Sequence, residues 1–207
     1  MLLNYLKSNY TPGELIFSGE IAAGITETNK RQQLKVLTDT GQLIRIDAGV
    51  YCLPKKSRLL NKPLLPTPEA IAESKYIRRG DKRFGYYGGV GFANRLGLTT
   101  QIPFASEIVT NETSNPLREV KLCGRSFLLR KPRTQITAEN YEILQLLDLL
   151  KDADKLCETN REQSGKIVRE YIRSRGITRA NMDRYLPRYP DKVYKTIYEM
   201  RLENVLA

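Results

Sequence analysis

The chain has 207 residues, with 34 lysines and arginines against 23 aspartates and glutamates, a net charge of +11, and no histidine. Without histidine, Ser-His-Asp and Cys-His catalysis, the HExxH zinc site and zinc-finger ligation are excluded together. Cys52, Cys123 and Cys157 are odd in number and far apart, which argues against a disulfide framework and for a reducing, cytoplasmic setting.

In chain order, MLLNYLKSNY carries Lys7 inside its apolar stretch and has no small-residue cleavage site, so no signal peptide is expected. No run approaches the roughly 18 apolar residues of a membrane span. Leu2, Leu3 and Leu6 space a first amphipathic helix, ended near Tyr10 by Thr11-Pro12-Gly13. Glu14 to Phe17 suits a short strand. Ser18 then caps a short helix with Ile21, Ala22 and Ala23 as its apolar residues and Gly24 at its end. A longer helix is expected from about Thr28 to Thr40, with Leu34 and Leu37 on one face and Gly41 at its boundary. Leu43 to Ile46, the turn Asp47-Ala48-Gly49 and Val50 to Leu53 read as a β-hairpin. Helix, turn, helix and β-ribbon in that order make a winged helix-turn-helix.

If Leu34 and Leu37 centre the buried face of the longer helix, Thr28, Asn29, Gln32 and Lys35 lie opposite, with Val36 beside them and Arg31 and Gln33 on the flanks. Lys30 belongs to the same polar run and joins them as a candidate. Asn and Gln pair with adenine edges, Arg and Lys with guanine or phosphate, and Thr suits either role. No acidic residue occurs from Thr28 to Thr38. The plain alternative is a solvated helix face, the ordinary state of an outer face; the turn before it and the wing after it favour DNA. Arg45 in the wing and Lys55 and Lys56 just beyond it are the candidate phosphate contacts.

Lys55-Lys56-Ser57-Arg58 leads into a stretch with Pro63, Pro66 and Pro68, where a linker is expected. The domains are thus read as residues 1–58 and 59–207. Thr67 caps a helix with Pro68 at its first position, running to about Arg79. A strand at Phe84 to Tyr87, a helix from Gly91 to Leu96 ended by Gly97, and strands at Ser106 to Thr110, Leu117 to Leu122 and Ser126 to Arg130 follow. The last two strands form a hairpin around Cys123-Gly124-Arg125, so residues 84–131 hold a small sheet. From Thr137 onward the texture is helical, with Tyr141, Leu144, Leu147 and Leu150 in one stripe, Ile167, Val168, Tyr171 and Ile172 in another, and Val193, Ile197, Met200 and Val205 in a third. The class is α+β: a winged helix-turn-helix, then a mixed α/β domain with a helical part at 137–207. Residues 61–135 carry 13 basic and 6 acidic side chains, so most of the excess charge lies outside the reading head and offers a second phosphate-contacting surface.

Enzymatic signatures are few. There is no GxxxxGK[ST] loop and no GxGxxG, and Gly88-Gly89-Val90-Gly91 is too short for a nucleotide cradle. Glu119-Val120-Lys121 on a strand places both charged side chains on one face, the E-x-K half of a PD-(D/E)xK nuclease signature, with Asp81 or Glu107 as the upstream carboxylate. The plainer reading of that pattern is a cross-strand pair on a hairpin. No catalytic activity, cofactor or metal is expected.

The segment Ile44 to Pro54 resembles the wing of AbiEi-type antitoxins, where a strand, a Gly-containing turn, Val-Tyr and a nearby Pro recur. Tyr86-Tyr87-Gly88-Gly89, Ala93 and Leu96-Gly97-Leu98-Thr99-Thr100-Gln101-Ile102-Pro103 look like the block that opens their C-terminal domain, and the hairpin around Gly124 looks like the strand pair after it. The resemblance covers about residues 15 to 135. It implies an autorepressor that binds inverted repeats in its own promoter. It also implies the antitoxin of a type IV pair, countering a nucleotidyltransferase-like toxin encoded beside it without a stable complex. A winged-helix regulator with a sensing C-terminal domain and no toxin partner shares the same reading head.

Overall fold

Each unit of this mixed α+β chain is built on its own apolar core. The computed structural model describes residues 1–56 and 63–206. One compact unit comprises Met1–Ile71 with Leu122–Gly124, the other Ala72–Lys121 with Arg125–Ala207. Ser57, Arg58 and the expected boundary between residues 58 and 59 lie outside the described residues.

In the first unit, α1 (Leu2–Asn9) is followed by β1 (Leu15–Phe17), a 3-10 turn (Ser18–Glu20), α2 (Glu27–Asp39), β2 (Ile44–Asp47), β3 (Val50–Cys52), β4 (Lys55–Lys56) and β5 (Pro63–Leu64). Strand β3 lies between β1 and β2, antiparallel to both, with Ile16 opposite Tyr51 and Arg45 opposite Tyr51 on the other side. The turn between β2 and β3 is closed by Ala48 N donating to Asp47 Oδ1 at 2.7 Å, and Gly49 takes a φ of +71° there. Leu2, Leu6, Ile16, Ile21, Leu34, Leu43 and Leu53 form the core. The short helix expected to run from Ser18 to Gly24 is one 3-10 turn only. Gly19 and Gly24 bracket too few residues to nucleate a helix, and Ile21 is extended, with its side chain in the core. The prolines expected to mark only a linker also behave differently: Pro63 and Leu64 pair with Lys56 and Lys55 in a two-stranded ladder.

The second unit begins within α3 (Pro68–Tyr76) and continues through a small hairpin, β6 (Arg78–Arg79) and β7 (Lys82–Arg83). That hairpin ends α3 at Tyr76, short of the expected Arg79. Then come β8 (Gly85–Tyr87), α4 (Gly89–Leu96), β9 (Ser106–Thr110), β10 (Leu117–Leu122) and β11 (Arg125–Arg130). The sheet order is β10-β11-β9-β8, with β9 antiparallel to β8 and parallel to β11. The helical part holds α5 (Tyr141–Lys151), α6 (Ala153–Leu156), α7 (Arg161–Ser174), α8 (Arg179–Asp183), α9 (Lys192–Glu199) and α10 (Glu203–Leu206). Every residue of α5 from Ile143 to Lys151 is buried, which makes it the axis of this unit. Gly85 is required where β8 meets the end of α3, because a Cβ there would stand 2.0 Å from the Tyr76 carbonyl oxygen.

A buried polar cluster joins sheet to axis. Asp148 accepts from the Tyr86 hydroxyl at 2.8 Å, from Arg130 at 3.3 Å and from Lys151 at 3.2 Å, while Arg130 also donates to Glu107 at 2.6 Å. Gly88 and Gly89 leave room for the Glu107 carboxylate, since a Cβ at either would approach it to 2.9 or 3.0 Å. Burial works against the Arg130 charge, but Asp148 and Glu107 outweigh it and push its pKa above the ordinary arginine value.

Three phenols are buried alongside. Burial, reinforced by Asp148, raises Tyr86 well above the usual tyrosine range; burial raises Tyr171 with help from Glu142, and Tyr189 with help from Asp148. Their neutral forms are thus favoured by folding, and that stability is intact below the unfolded value of about 10. It is lost as pH climbs toward the raised folded values. Urea midpoints should therefore fall from pH 9 to 11, and Tyr86→Phe should flatten the fall. A slope unchanged in Tyr86→Phe would mean that this phenol does not contribute.

Candidate nucleic-acid interface

Helix α2 starts one turn after Gly24, with Thr26 as its cap: the Thr26 hydroxyl oxygen accepts from Asn29 N at 3.3 Å. Leu34 is buried and Leu37 half-buried against the core, and Gln33 is drawn inward to accept from Leu2 N at 3.2 Å. These contacts fix the helix's rotation about its axis. Thr28, Asn29, Arg31, Gln32 and Lys35 consequently all face out, with Val36, 54% exposed, among them. Asn29 is further held by Gln33, whose side-chain amide donates to its Oδ1 at 2.9 Å.

Lys30 does not share that face. It is 4% exposed, and its amine is paired with Glu27 at 2.6 Å. Its spacing shows why: Lys30, Leu34 and Leu37 stand four and three residues apart, on the same stripe of the helix. The pairing offsets the cost of burying an amine, and Lys30 is a structural residue of α2. Five of the six candidates on this helix are brought together and one is withdrawn.

Arg45 is exposed on β2, opposite Tyr51. Lys55 is exposed on β4, its aliphatic stem beside Gly13, where a Cβ would come within 3.2 Å of Lys55 Cδ. Lys56 pairs through its backbone with Pro63.

Six of the 13 cations of residues 61–135 are engaged within the second unit as follows, while Lys82, Arg118, Lys121 and Lys131 are exposed. Arg130 is in the buried cluster, Arg78 is paired with Glu73 at 2.7 Å, and Arg79, Arg83, Arg95 and Arg133 lie over the rings of Phe84, Tyr141, Tyr87 and Tyr189. On β10, Glu119 accepts from the Ser126 hydroxyl at 2.7 Å, a cross-strand contact of the hairpin, while Glu107, on β9 beyond β11, is taken up by Arg130 of β11. Among the described residues no group of three or more His, Cys, Asp or Glu is placed to hold a metal ion. No helix among them is long and apolar enough to cross a membrane. The three cysteines are free thiols.

A family model described as a family of unknown function, DUF6088, matches residues 2–173. The chain belongs to the DUF6088 family. The match takes in α1 through nearly all of α7, so both units belong to the family's pattern. Comparison with curated proteins gives no match.

Proposed function

We propose that this DUF6088 protein is a DNA-binding transcription regulator whose first unit is a winged helix-turn-helix, with α2 as the reading helix and β2–β3 as the wing. The element before α2 is then a tight turn where a longer helix usually stands. The observation that carries the reading is the outward face of α2: Thr28, Arg31, Gln32 and Lys35 are exposed at helical spacing, with no acid from residue 28 to 38. Such a face combines base-edge readers with phosphate binders and sits beside a short ribbon bearing Arg45.

Replacing Asn29 or Gln32 by Ala should weaken binding to the cognate promoter by about 1–3 kcal/mol and change binding to random duplex little. Electrophoretic mobility titrations on both DNAs measure this. Equal losses on both would assign these side chains to the backbone.

The resemblance to AbiEi-type antitoxins supports a narrower version: an autorepressor of its own operon that also counters a nucleotidyltransferase-like toxin. Co-expression with the product of the adjacent gene tests it. Growth rescue supports the antitoxin role, and unrelieved toxicity opposes it. A regulator with a sensing C-terminal unit and no toxin is the second reading, favoured by the arginine-lined cavity at Tyr141 in that unit.

A further inference from the structure

A chain of hydrogen bonds starts in the core of the first unit and ends on the exposed face of α2. Leu2, 1% exposed and packed in the same apolar cluster as Leu34, donates its backbone N–H to Gln33 Oε1 at 3.2 Å. Gln33 Nε2 in turn donates to Asn29 Oδ1 at 2.9 Å. The backbone of Asn29 is held as well, since its N–H donates to the Thr26 hydroxyl oxygen at 3.3 Å.

The direction of this chain follows from the groups themselves. A backbone N–H can only donate, so the Gln33 atom facing Leu2 is the amide oxygen and the one facing Asn29 is the nitrogen. That nitrogen can only donate too, so Asn29 turns its Oδ1 to Gln33. Asn29 Nδ2 is left on the far side of the amide from Gln33, at an exposed position, with no acceptor among the described residues. Gln32, the other amide of this face, has no side-chain hydrogen bond among the described residues and can turn either end outward.

An asparagine fixed in this way reads a base differently from a free one. A free amide offers donor and acceptor together, which matches adenine N7 and N6. In Asn29 the acceptor is already engaged by Gln33, and the donor alone is unengaged. Guanine suits a donor best, because its N7 and O6 are acceptors side by side, whereas cytosine presents only a donor. Fixing the amide before DNA arrives also spares the cost of ordering a loose side chain on binding.

We propose that Gln33 is a positioning residue for DNA reading: it fixes Asn29 with its donor outward and so directs it to guanine. This rests on the DNA-reading role of α2, and adds to it the identity of one base and the residue that sets it.

The test is selection of preferred duplexes from a random pool by the intact protein, followed by titration of all four base pairs at each position of the selected site. One position should lose its preference in Asn29→Ala, and the parent should hold guanine there. Gln33→Leu should flatten the preference at that same position by roughly tenfold and leave the others unchanged. Gln33→Glu is the decisive variant. Its carboxylate still accepts from Leu2 N but cannot donate to Asn29, so Asn29 turns and donates its Nδ2 to residue 33 instead. Oδ1 then faces out, and the preference should move from guanine to adenine or cytosine, whose exocyclic amines donate, as it should in Asn29→Asp. Loss of packing alone would lower affinity for every sequence and would not redirect one position. Melting temperatures are compared first; Gln33→Glu keeps the Leu2 bond and carries the test if Gln33→Leu does not fold. A parent that enriches no sequence would overturn the DNA-reading role of α2, and this inference with it. If the parent does enrich a site, three results overturn the role of Gln33 alone: no position that depends on Asn29, adenine or cytosine at that position in the parent, or guanine retained there in Gln33→Glu.

Discussion

Asp148→Ala is expected to destabilise the second unit by about 3–5 kcal/mol, the loss seen when one member of a buried ionic network is removed. Its carboxylate is 7% exposed and faces Arg130, Lys151 and the Tyr86 hydroxyl together. Truncation leaves two cations and a phenol without their common acceptor, deep between α5 and the sheet. Asp148→Asn keeps the shape and one acceptor for Tyr86, so it should cost less than Asp148→Ala. Glu119→Ala, on the exposed face of β10, loses one hydrogen bond, from Ser126, and should cost about 0.5–1.5 kcal/mol, well below Asp148→Ala. Urea unfolding followed by circular dichroism orders the three variants. An Asp148→Ala loss below about 1 kcal/mol would mean that water already reaches the cluster.

That cluster also marks where reading the sequence runs out. Tyr86, Glu107, Arg130 and Asp148 come from four separate elements, and no local pattern pairs them. The available signal was negative: Asp148 is the one charge in the run from Ile143 to Leu150, whose other polar residue is Gln145, and a charge in such a run needs a partner. Periodicity succeeded where it dominates. Strand β9 has the expected bounds, Ser106 to Thr110, and the stripe of Tyr141, Leu144, Leu147 and Leu150 is the axis helix. It failed where a few residues are placed by distant contacts. Ser18 to Gly24 looked helical from its small apolar residues, yet Ile21 is drawn into the core instead. Pro63 was readable as a chain breaker, but its pairing with Lys56 depends on tertiary placement. Lys30 has the chemistry of a reading face but the spacing, four and seven residues before Leu34 and Leu37, of the buried stripe, and the spacing decides. The cavity at Arg83 was not legible at all, since its arginines and rings are gathered from β7, β8, α4, α5 and α7.

Arg31, Lys35 and Arg45 are exposed on α2 and β2, and the proposed DNA-binding role assigns each of them to a phosphate. Each phosphate contact contributes about 0.9 to the slope of log affinity against log salt, so the triple substitution to Gln should lower that slope by roughly 2.7. Affinity for cognate and random duplex should fall together, because phosphate contacts carry no sequence information. Lys30→Gln should leave the slope unchanged and act on stability alone, since its amine is turned inward to Glu27.

The most direct measurement is the salt dependence of binding of the intact protein to the DNA upstream of its own gene, compared with a random duplex, for the parent and the Arg31→Gln, Lys35→Gln, Arg45→Gln triple variant. The account predicts that the parent prefers its own upstream DNA, and that the triple variant binds both DNAs more weakly with a slope reduced by roughly 2.7. Absence of any preference in the parent, or an unchanged slope in the triple variant, would contradict the assignment of α2 and the wing as the DNA-reading surface.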